Sequence, residues 1–522
     1  MTLPHLVLLC AVLAPLAMAH TVRADSPPRV EVDGGAVVGV RTGPLAAYKG
    51  IPFAAPPVRE LRWKAPQPVV PWQGDLVADR FSPMCLQTLR AKNSVFYLGE
   101  EPSSEDCLYL NVWSTAAAGD KRPVMVFIYG GGWTIGSASL PLYDGAPLAS
   151  KGAVVVSFNY RVGALGFMAH PELTAEGKGA SGNYGLMDMI AALRWVKANI
   201  ARFGGDPGNV TLYGQSAGSV AIALLATSPQ ATGLFHRAIG ESGGYAVGGR
   251  LATLAEAEKA GVAAAEKLKA SSLKALRDLG GDAIVHGDNN MRPVVDGVVL
   301  PQQPIEAYAA GKQMKVPILI GSNADEGTAY PVVMTPAAFE DAARKRYGAR
   351  ADALLALYPA KTDEEARASS YALMRDRTFA APMRLWGVQQ SKVATVFMYH
   401  FSRVHPFVDG VAFQQQNPGR KMGAYHGAEM AYAYGTYDVL NRFGTTRAWT
   451  DADRRYSEAM MGYWLAFART GDPNAEGLPA WPAYKPGTDG PDSEQVMLFG
   501  AEIKAGMLPN RPQLDFFAHQ PD

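Results

Sequence analysis

Cysteine is scarce. The 522-residue chain has 3, at Cys10, Cys85 and Cys107. So few thiols exclude a disulfide-stapled scaffold, and without an H-E-x-x-H stretch or any other ligand cluster they exclude a zinc site. A surplus of charge is missing too. Lys and Arg number 49 against 48 Asp and Glu, a net charge of +1, so nothing is set up to neutralise a nucleic-acid backbone and no acidic tail resists folding. Beyond the N-terminus no apolar run approaches the roughly 20 residues of a membrane-spanning helix. Internal repeats and long low-complexity linkers are absent as well. What is present is a 48% hydrophobic composition, enough for a large core, in a chain whose expected partner is a small molecule. No metal or organic cofactor is called for.

The one early apolar run, Leu6 to Ala17, is short for a membrane span and ends in small residues. Residues 1–24 therefore read as a signal peptide, with Ala17-Met18-Ala19 or Ala24 marking the cleavage point, although no Lys or Arg precedes the run. The expected mature chain, residues 25–522, is exported to the periplasm or beyond. Cys10 leaves with the signal. Cys85 and Cys107 then form one disulfide, or stay as two buried thiols.

Short β-branched and aromatic runs recur, "PVMVFIYGGG" near 123, "AVVVSFNY" near 153, "NVTLYG" near 209, "VPILIGSN" near 316 and "ATVFMYHF" near 394, each bounded by turn residues as buried parallel strands are. Between them lie helical patterns. Leu186, Met189, Ile190, Leu193, Val196, Ile200 and Phe203 make one apolar face, which Gly204 and Gly205 stop. Thr450 with Asp453 three residues on caps another helix that runs to Gly471. Alternating strands and helices predict an α/β class, a doubly wound, mostly parallel sheet whose site lies beyond the carboxyl ends of its strands. Residues 250–395 break the rhythm with Ala- and Lys-rich helices that pack over the sheet within the same single domain.

Two stretches, "LYGQSAGSV" and "AIGESGGYA", both contain G-x-S-x-G, which places a serine on a tight turn between a strand and a helix. They centre on Ser216 and Ser242. Ser216 follows the apolar "NVTLY" and precedes "SVAIALLA", which continues as a buried helix whose N–H groups face developing negative charge. Ser242 follows the strand-like "HRAI", but "GGYAVGGR" after it has no helical apolar face. Ser216 is therefore the expected nucleophile.

The flanking residues point to a family. "FGGDPGNVTLYGQSAG", Phe203 to Gly218, resembles the serine-site signature of type-B carboxylesterases, the cholinesterase-like α/β-hydrolases. "EDCLYLNVW", Glu105 to Trp113, is similar to that family's second signature, and "YKGIPFAAPP", "FNYRVGALGF" and "GNYGLMD" extend the likeness over about residues 30 to 515. The resemblance implies an α/β-hydrolase fold, a serine carboxylic-ester hydrolase and a disulfide between Cys85 and Cys107. It makes Ser242 a second, buried serine that supports the site without attacking.

A serine hydroxyl needs a base, and the base an acid that holds its tautomer. In α/β-hydrolases the order is Ser, acid, His. That order leaves His236, His286, His400, His405, His426 and His519, of which His426 in "GAYHGAEM" resembles the family's histidine motif. The acid belongs in "VPILIGSNADEG", where spacing leaves Asp325 and Glu326 open and resemblance implies Glu326. Resemblance likewise implies an oxyanion hole from Gly131 and Gly132 of "IYGGGW" with Ala217.

Three departures stand out. Gln215 precedes the nucleophile where many members have Glu, removing a negative charge near the histidine. Between Cys85 and Cys107 lie Phe96 and Tyr97 but no Trp for a cation–π contact to quaternary ammonium, so uncharged small-to-medium esters are expected rather than choline esters. Arg59 stands where Gly is usual. Two other readings stay open: a non-catalytic recognition protein on the same fold, and a carbamate or amide hydrolase with incidental esterase activity.

Overall fold

The computed structural model describes residues 27–99, 101–330, 332, 335–414, 422–487 and 493–518. The expected signal peptide and His519 lie outside the described residues. One sheet of 11 strands organises the described chain. In chain order its strands are β1 (Val40–Thr42), β2 (Leu45–Pro52), β3 (Tyr109–Ser114), β4 (Arg122–Ile128), β5 (Val154–Phe158), β6 (Gly205–Gln215), β7 (Arg237–Glu241), β8 (Ile318–Asn323), β9 (Val396–Phe401), β10 (Gln495–Phe499) and β11 (Ile503–Met507). In space they run β11-β10-β9-β8-β7-β6-β4-β5-β3-β2-β1.

From β5 to β10 every neighbouring pair is parallel. Their sequences explain this. Every residue of β5 and β8, and all of β4 after Arg122, is buried, as strands covered on both faces must be. The outer strands are antiparallel, β3 on β5, β2 on β3 and β1 on β2 at one edge and β11 on β10 at the other. A separate three-stranded sheet is built from Arg29–Val32, Gly35–Val38 and Asp75–Val77. These edge elements carry little hydrophobic pattern, and the sequence alone did not reveal them.

Helices cover both faces. α1 (Tyr184–Asn199) buries Leu186, Met189, Ile190, Leu193 and Val196 and tightens into a 3-10 turn at Ile200–Phe203, which Gly204 ends with φ 83°. α2 (Ala217–Leu225) is buried along its whole length, and α3 (Leu254–Lys267), α4 (Pro336–Tyr347), α5 (Asp363–Arg375) and α6 (Ala381–Gln390) lie in the irregular stretch. α7 (Asp451–Thr470) opens with a capping box between Thr450 and Asp453 and closes at Gly471. The main core spans the sheet, whereas Phe339, Tyr347, Leu354, Tyr358 and Phe517 form a smaller core of their own. The helical stretch around α4 and α5 thus has its own packing as it sits above the sheet.

The strand order positions the site. The chain leaves β4 for β5 on one side, then crosses to β6 and continues β7, β8, β9, β10 on the other. The loops after β4 and β6 must therefore diverge, leaving a crevice at the carboxyl ends of these two strands. Gly131 and Gly132 follow β4, and Ser216 follows β6.

Candidate active site

Ser216 joins β6 to α2 with φ 58° and ψ −125°, a strained left-handed turn that lifts its side chain off the sheet. Small neighbours make this possible. A Cβ on Gly214 or Gly218 would stand 2.5 or 2.0 Å from the Ile128 carbonyl oxygen, so only glycine lets strand, turn and helix pack this closely. The Ser216 N–H donates to the Glu241 carbonyl at 2.8 Å. Its hydroxyl makes no capping bond and opens on a cavity of about 640 Å³.

Glu326 begins a 3-10 turn after β8, with 0% exposure. Its Oε1 accepts from the Asn323 N–H at 2.8 Å and from the Ser242 hydroxyl at 2.5 Å. Its Oε2 lies 2.5 Å from His426 Nδ1. Asp325, which spacing could not separate from it, is engaged elsewhere. Its Oδ2 accepts the Ala424 N–H at 2.8 Å and its N–H donates to the Ala424 carbonyl at 3.0 Å. It holds the loop that carries the histidine. With Nδ1 engaged, the Nε2 side of His426 is the side available to exchange a proton.

Aromatic rings enclose His426. Phe379 lies 4.5 Å away between ring centroids, Tyr330 5.6 Å and Phe96 edge-on at 6.3 Å. The imidazole is only 4% exposed. Phe96 comes from the loop closed by a Cys85–Cys107 disulfide, a cross-link of the kind worth about 3 kcal/mol in the chain-entropy picture. Gln215 Nε2 is 3.1 Å from His426 Nε2 and 3.4 Å from Nδ1. An amide nitrogen lying along an in-plane lone pair approaches one ring nitrogen only, so near-equal distances place the Gln215 amide over the ring face.

The other histidines are occupied elsewhere. His236 Nδ1 accepts from the Val210 N–H, and His286 Nδ1 lies 2.8 Å from the Asp282 carbonyl on the surface. Burial lowers His400 to about 4 and His405, with help from Arg447, to about 3, so neither accepts a proton readily near neutral pH.

After β4, Gly131 and Gly132 take φ 124° and 63°. The N–H groups of Gly131, Gly132 and Ala217 are spent on no backbone hydrogen bond among the described residues. Gly132 and Ala217 line the same cavity as Ser216, and N–H groups left unpaired beside a nucleophile are the kind of donor an oxyanion requires. No group of His, Cys, Asp and Glu among the described residues is arranged to hold a metal ion.

Of the residues singled out in the sequence, Ser242 meets Glu326, Glu326 meets His426 and His426 meets Gln215, and Ser216 follows Gln215 on the turn into α2. The sequence did not single out Asn323, although it lies in the quoted run three residues before Glu326, or Tyr330 and Phe379, which belong to no motif. It also missed the arginines of the cavity wall, Arg292, Arg346, Arg377 and Arg384.

A fold and site of this kind define a serine hydrolase of the α/β-hydrolase class. The family model described as "Carboxylesterase family" matches residues 26–517, and the chain belongs to that family. It is 37% identical over 508 residues to the fumonisin B1 esterase of Sphingopyxis macrogoltabida, with 94% of this chain and 90% of that one aligned. To the para-nitrobenzyl esterase of Bacillus subtilis (strain 168) it is 34% identical over 490 residues, covering 90% and 94%. A solved PNB esterase superposes with TM-score 0.80 at 32% identity, covering 94% of this chain and 99% of the other. The protein is a serine carboxylesterase, a hydrolase of small-molecule carboxylic esters, and no helix among its described residues is long and apolar enough to cross a membrane.

Proposed function

We propose that the chain is an exported esterase that works through an acyl-enzyme on Ser216. Ser216 Oγ attacks the ester carbonyl as His426 Nε2 takes its proton, and Glu326 steadies the imidazolium from the Nδ1 side. The carbonyl oxygen turns towards the N–H groups of Gly131, Gly132 and Ala217, each such donor being worth about 2.7–4 kcal/mol. His426 then protonates the departing alcohol. A water, activated by the same nitrogen, releases the acid and restores Ser216. Ser242 and the Asn323 N–H fix Glu326, so both act through that carboxylate rather than on substrate.

The observation that carries this reading is the contact of 2.5 Å between Glu326 Oε2 and His426 Nδ1, beside a serine whose hydroxyl has no other employment. The Cys85–Cys107 bridge supports export, because such bonds persist in oxidising compartments. The test is reaction of the purified protein with an organophosphonate, followed by intact mass and peptide mapping. One adduct on Ser216, lost in Ser216→Ala and kept in Ser242→Ala, is expected. A folded protein that takes no adduct would favour the non-catalytic recognition reading. Faster turnover of a matched amide or carbamate would replace the esterase assignment.

A further inference from the structure

The wall of the Ser216 cavity carries four arginines, Arg292, Arg346, Arg377 and Arg384, against a single carboxylate, Glu494. Arg384 and Glu494 are already satisfied. Arg384 forks onto Glu494 at 2.7 and 3.1 Å and reaches Asp515 at 2.7 Å, while Arg511 Nε forms an ion pair with Glu494 Oε2 at 2.7 Å. Two cations and two anions cancel there.

Arg377 has no such partner. It lies in the π turn Asp376–Ala380, whose widened backbone places Phe379 on His426 and Arg377 on the cavity wall. Its neighbour Asp376 is fully buried and committed, accepting Arg375 Nε and a terminal Arg375 nitrogen at 2.7 and 2.8 Å and the Tyr358 hydroxyl at 2.9 Å. Arg377 itself makes no hydrogen bond or ion pair among the described residues. Arg292, at the exposed side of the cavity, makes two long contacts of 3.3 Å to Asn290 Oδ1 and no ion pair. A half-buried guanidinium facing low-dielectric walls loses hydration without compensation, and its field focuses into the cavity. An anion entering the cavity recovers that loss through a forked, charge-assisted pair.

We propose that the ester cleaved at Ser216 bears a second, ionised carboxylate, held by Arg377 with Arg292 nearer the entrance. This rests on the esterase reading and replaces the uncharged substrate expected from the sequence. The chemistry fits a half-ester of a dicarboxylic acid, with the charge on the acyl part, or an ester of a hydroxy acid, with the charge on the alcohol.

Two probe pairs separate these. On the acyl side, mono-p-nitrophenyl adipate is compared with the same ester whose free carboxylate is methylated; on the alcohol side, the butanoyl ester of p-hydroxybenzoate is compared with that of methyl p-hydroxybenzoate. In one pair the carboxylate probe is expected to have the higher kcat/KM, by about tenfold or more, the size of one good charge-assisted contact. The preference should shrink as salt rises. Arg377→Met should cut the ratio about tenfold and Arg377→Lys should keep much of it. Arg344→Met should leave it unchanged, since Arg344 is an exposed residue paired to Glu340 and Asp352 away from the cavity. Because each ratio is read on one preparation, loss of folded protein cancels. The proposal is overturned if the methylated partners win in both pairs, or if Arg377→Met combined with Arg292→Met leaves the ratio at its wild-type value. If all four esters are untouched and no organophosphonate adduct forms, the esterase reading itself falls and this inference with it.

Discussion

The turns at Ser216 and Ser242 share a pentapeptide pattern, end adjacent parallel strands, and have nearly the same backbone, φ 58° and 54°. Even the residues before them, Gln215 and Glu241, are partners in register. Their continuations differ. Ser216 leads into α2, whereas Ser242 leads into Gly243 and Gly244, where a Cβ would stand 2.3 Å from the Ser216 carbonyl oxygen and 2.5 Å from that of Pro382. One hydroxyl is left open to the cavity and the other is spent on Glu326. The motif encodes a strained turn; the surroundings decide whether its serine attacks or supports.

The sharpest break of this comparison is the pair of alanine variants. Ser216→Ala should lower kcat by about 10⁴-fold or more with the fold intact, as loss of a nucleophile does. Ser242→Ala should cost about tenfold to a hundredfold, because Glu326 keeps the Asn323 N–H and loses one of its two supports. Steady-state kinetics beside circular dichroism on the same samples decides it. Equal losses would remove the distinction between the two turns.

A second contrast lies within the acid turn. Glu326→Gln should lower kcat by about 10⁴-fold through a wrongly held imidazole, with KM little changed. Asp325→Asn should instead act mainly on stability, by about 1–3 kcal/mol for the disturbed Ala424 contact, and on kcat only through a looser histidine loop. Chemical denaturation and kinetics of both variants check the division.

Much of this was legible in the sequence where a pattern is local. The parallel strands from β4 to β9 announced themselves as short apolar runs, α1 and α7 by period and cap, and Ser216 by its flanks. The choice between Asp325 and Glu326 was not legible, since adjacent side chains on one turn diverge by dihedral angles that no spacing records. Nor was the charge of the cavity. Arg292 comes from a loop, Arg377 from the π turn and Arg384 from α6, and whether a guanidinium is spent on a carboxylate or left facing a void is decided only when Asp376 and Glu494 find their partners.

The two strand ends offer a smaller test. Burial raises the Glu241 carboxyl from its ordinary 4.5 to about 7, while the Tyr434 hydroxyl and the Trp464 Nε1–H donate to it. Glu429, also fully buried, is raised in the same direction, by burial and then by Glu241 and Glu326. Between those limits the folded chain holds a proton that the unfolded chain has released. The associated stability is therefore complete below about 4.5 and is lost as pH rises through about 7. The urea midpoint should be lower at pH 8 than at pH 5 for this reason. Glu241→Gln, whose amide oxygen can accept from Trp464 and whose NH₂ can donate to the Tyr434 oxygen, should narrow that gap; an unchanged gap would place the titration elsewhere.

Gln215 is the counterpart of Glu241, and the contrast between them is one of charge against the imidazole. The Gln215 amide over the His426 face contributes a dipole and no net charge. Gln215→Glu would put a carboxylate there, favouring the protonated ring both in the resting enzyme and in the transition state. The free base then persists only at higher pH, so the acid limb of the kcat/KM profile should move up by about one unit. The plateau above it should rise a fewfold, because the cation formed during attack is better held. Profiles from pH 5 to 9 on an uncharged ester read both effects. A limb that stays in place or moves down would mean that the side chain at 215 does not govern the histidine, and that the open hydroxyl of Ser216, rather than the residue before it, is all that separates the two turns.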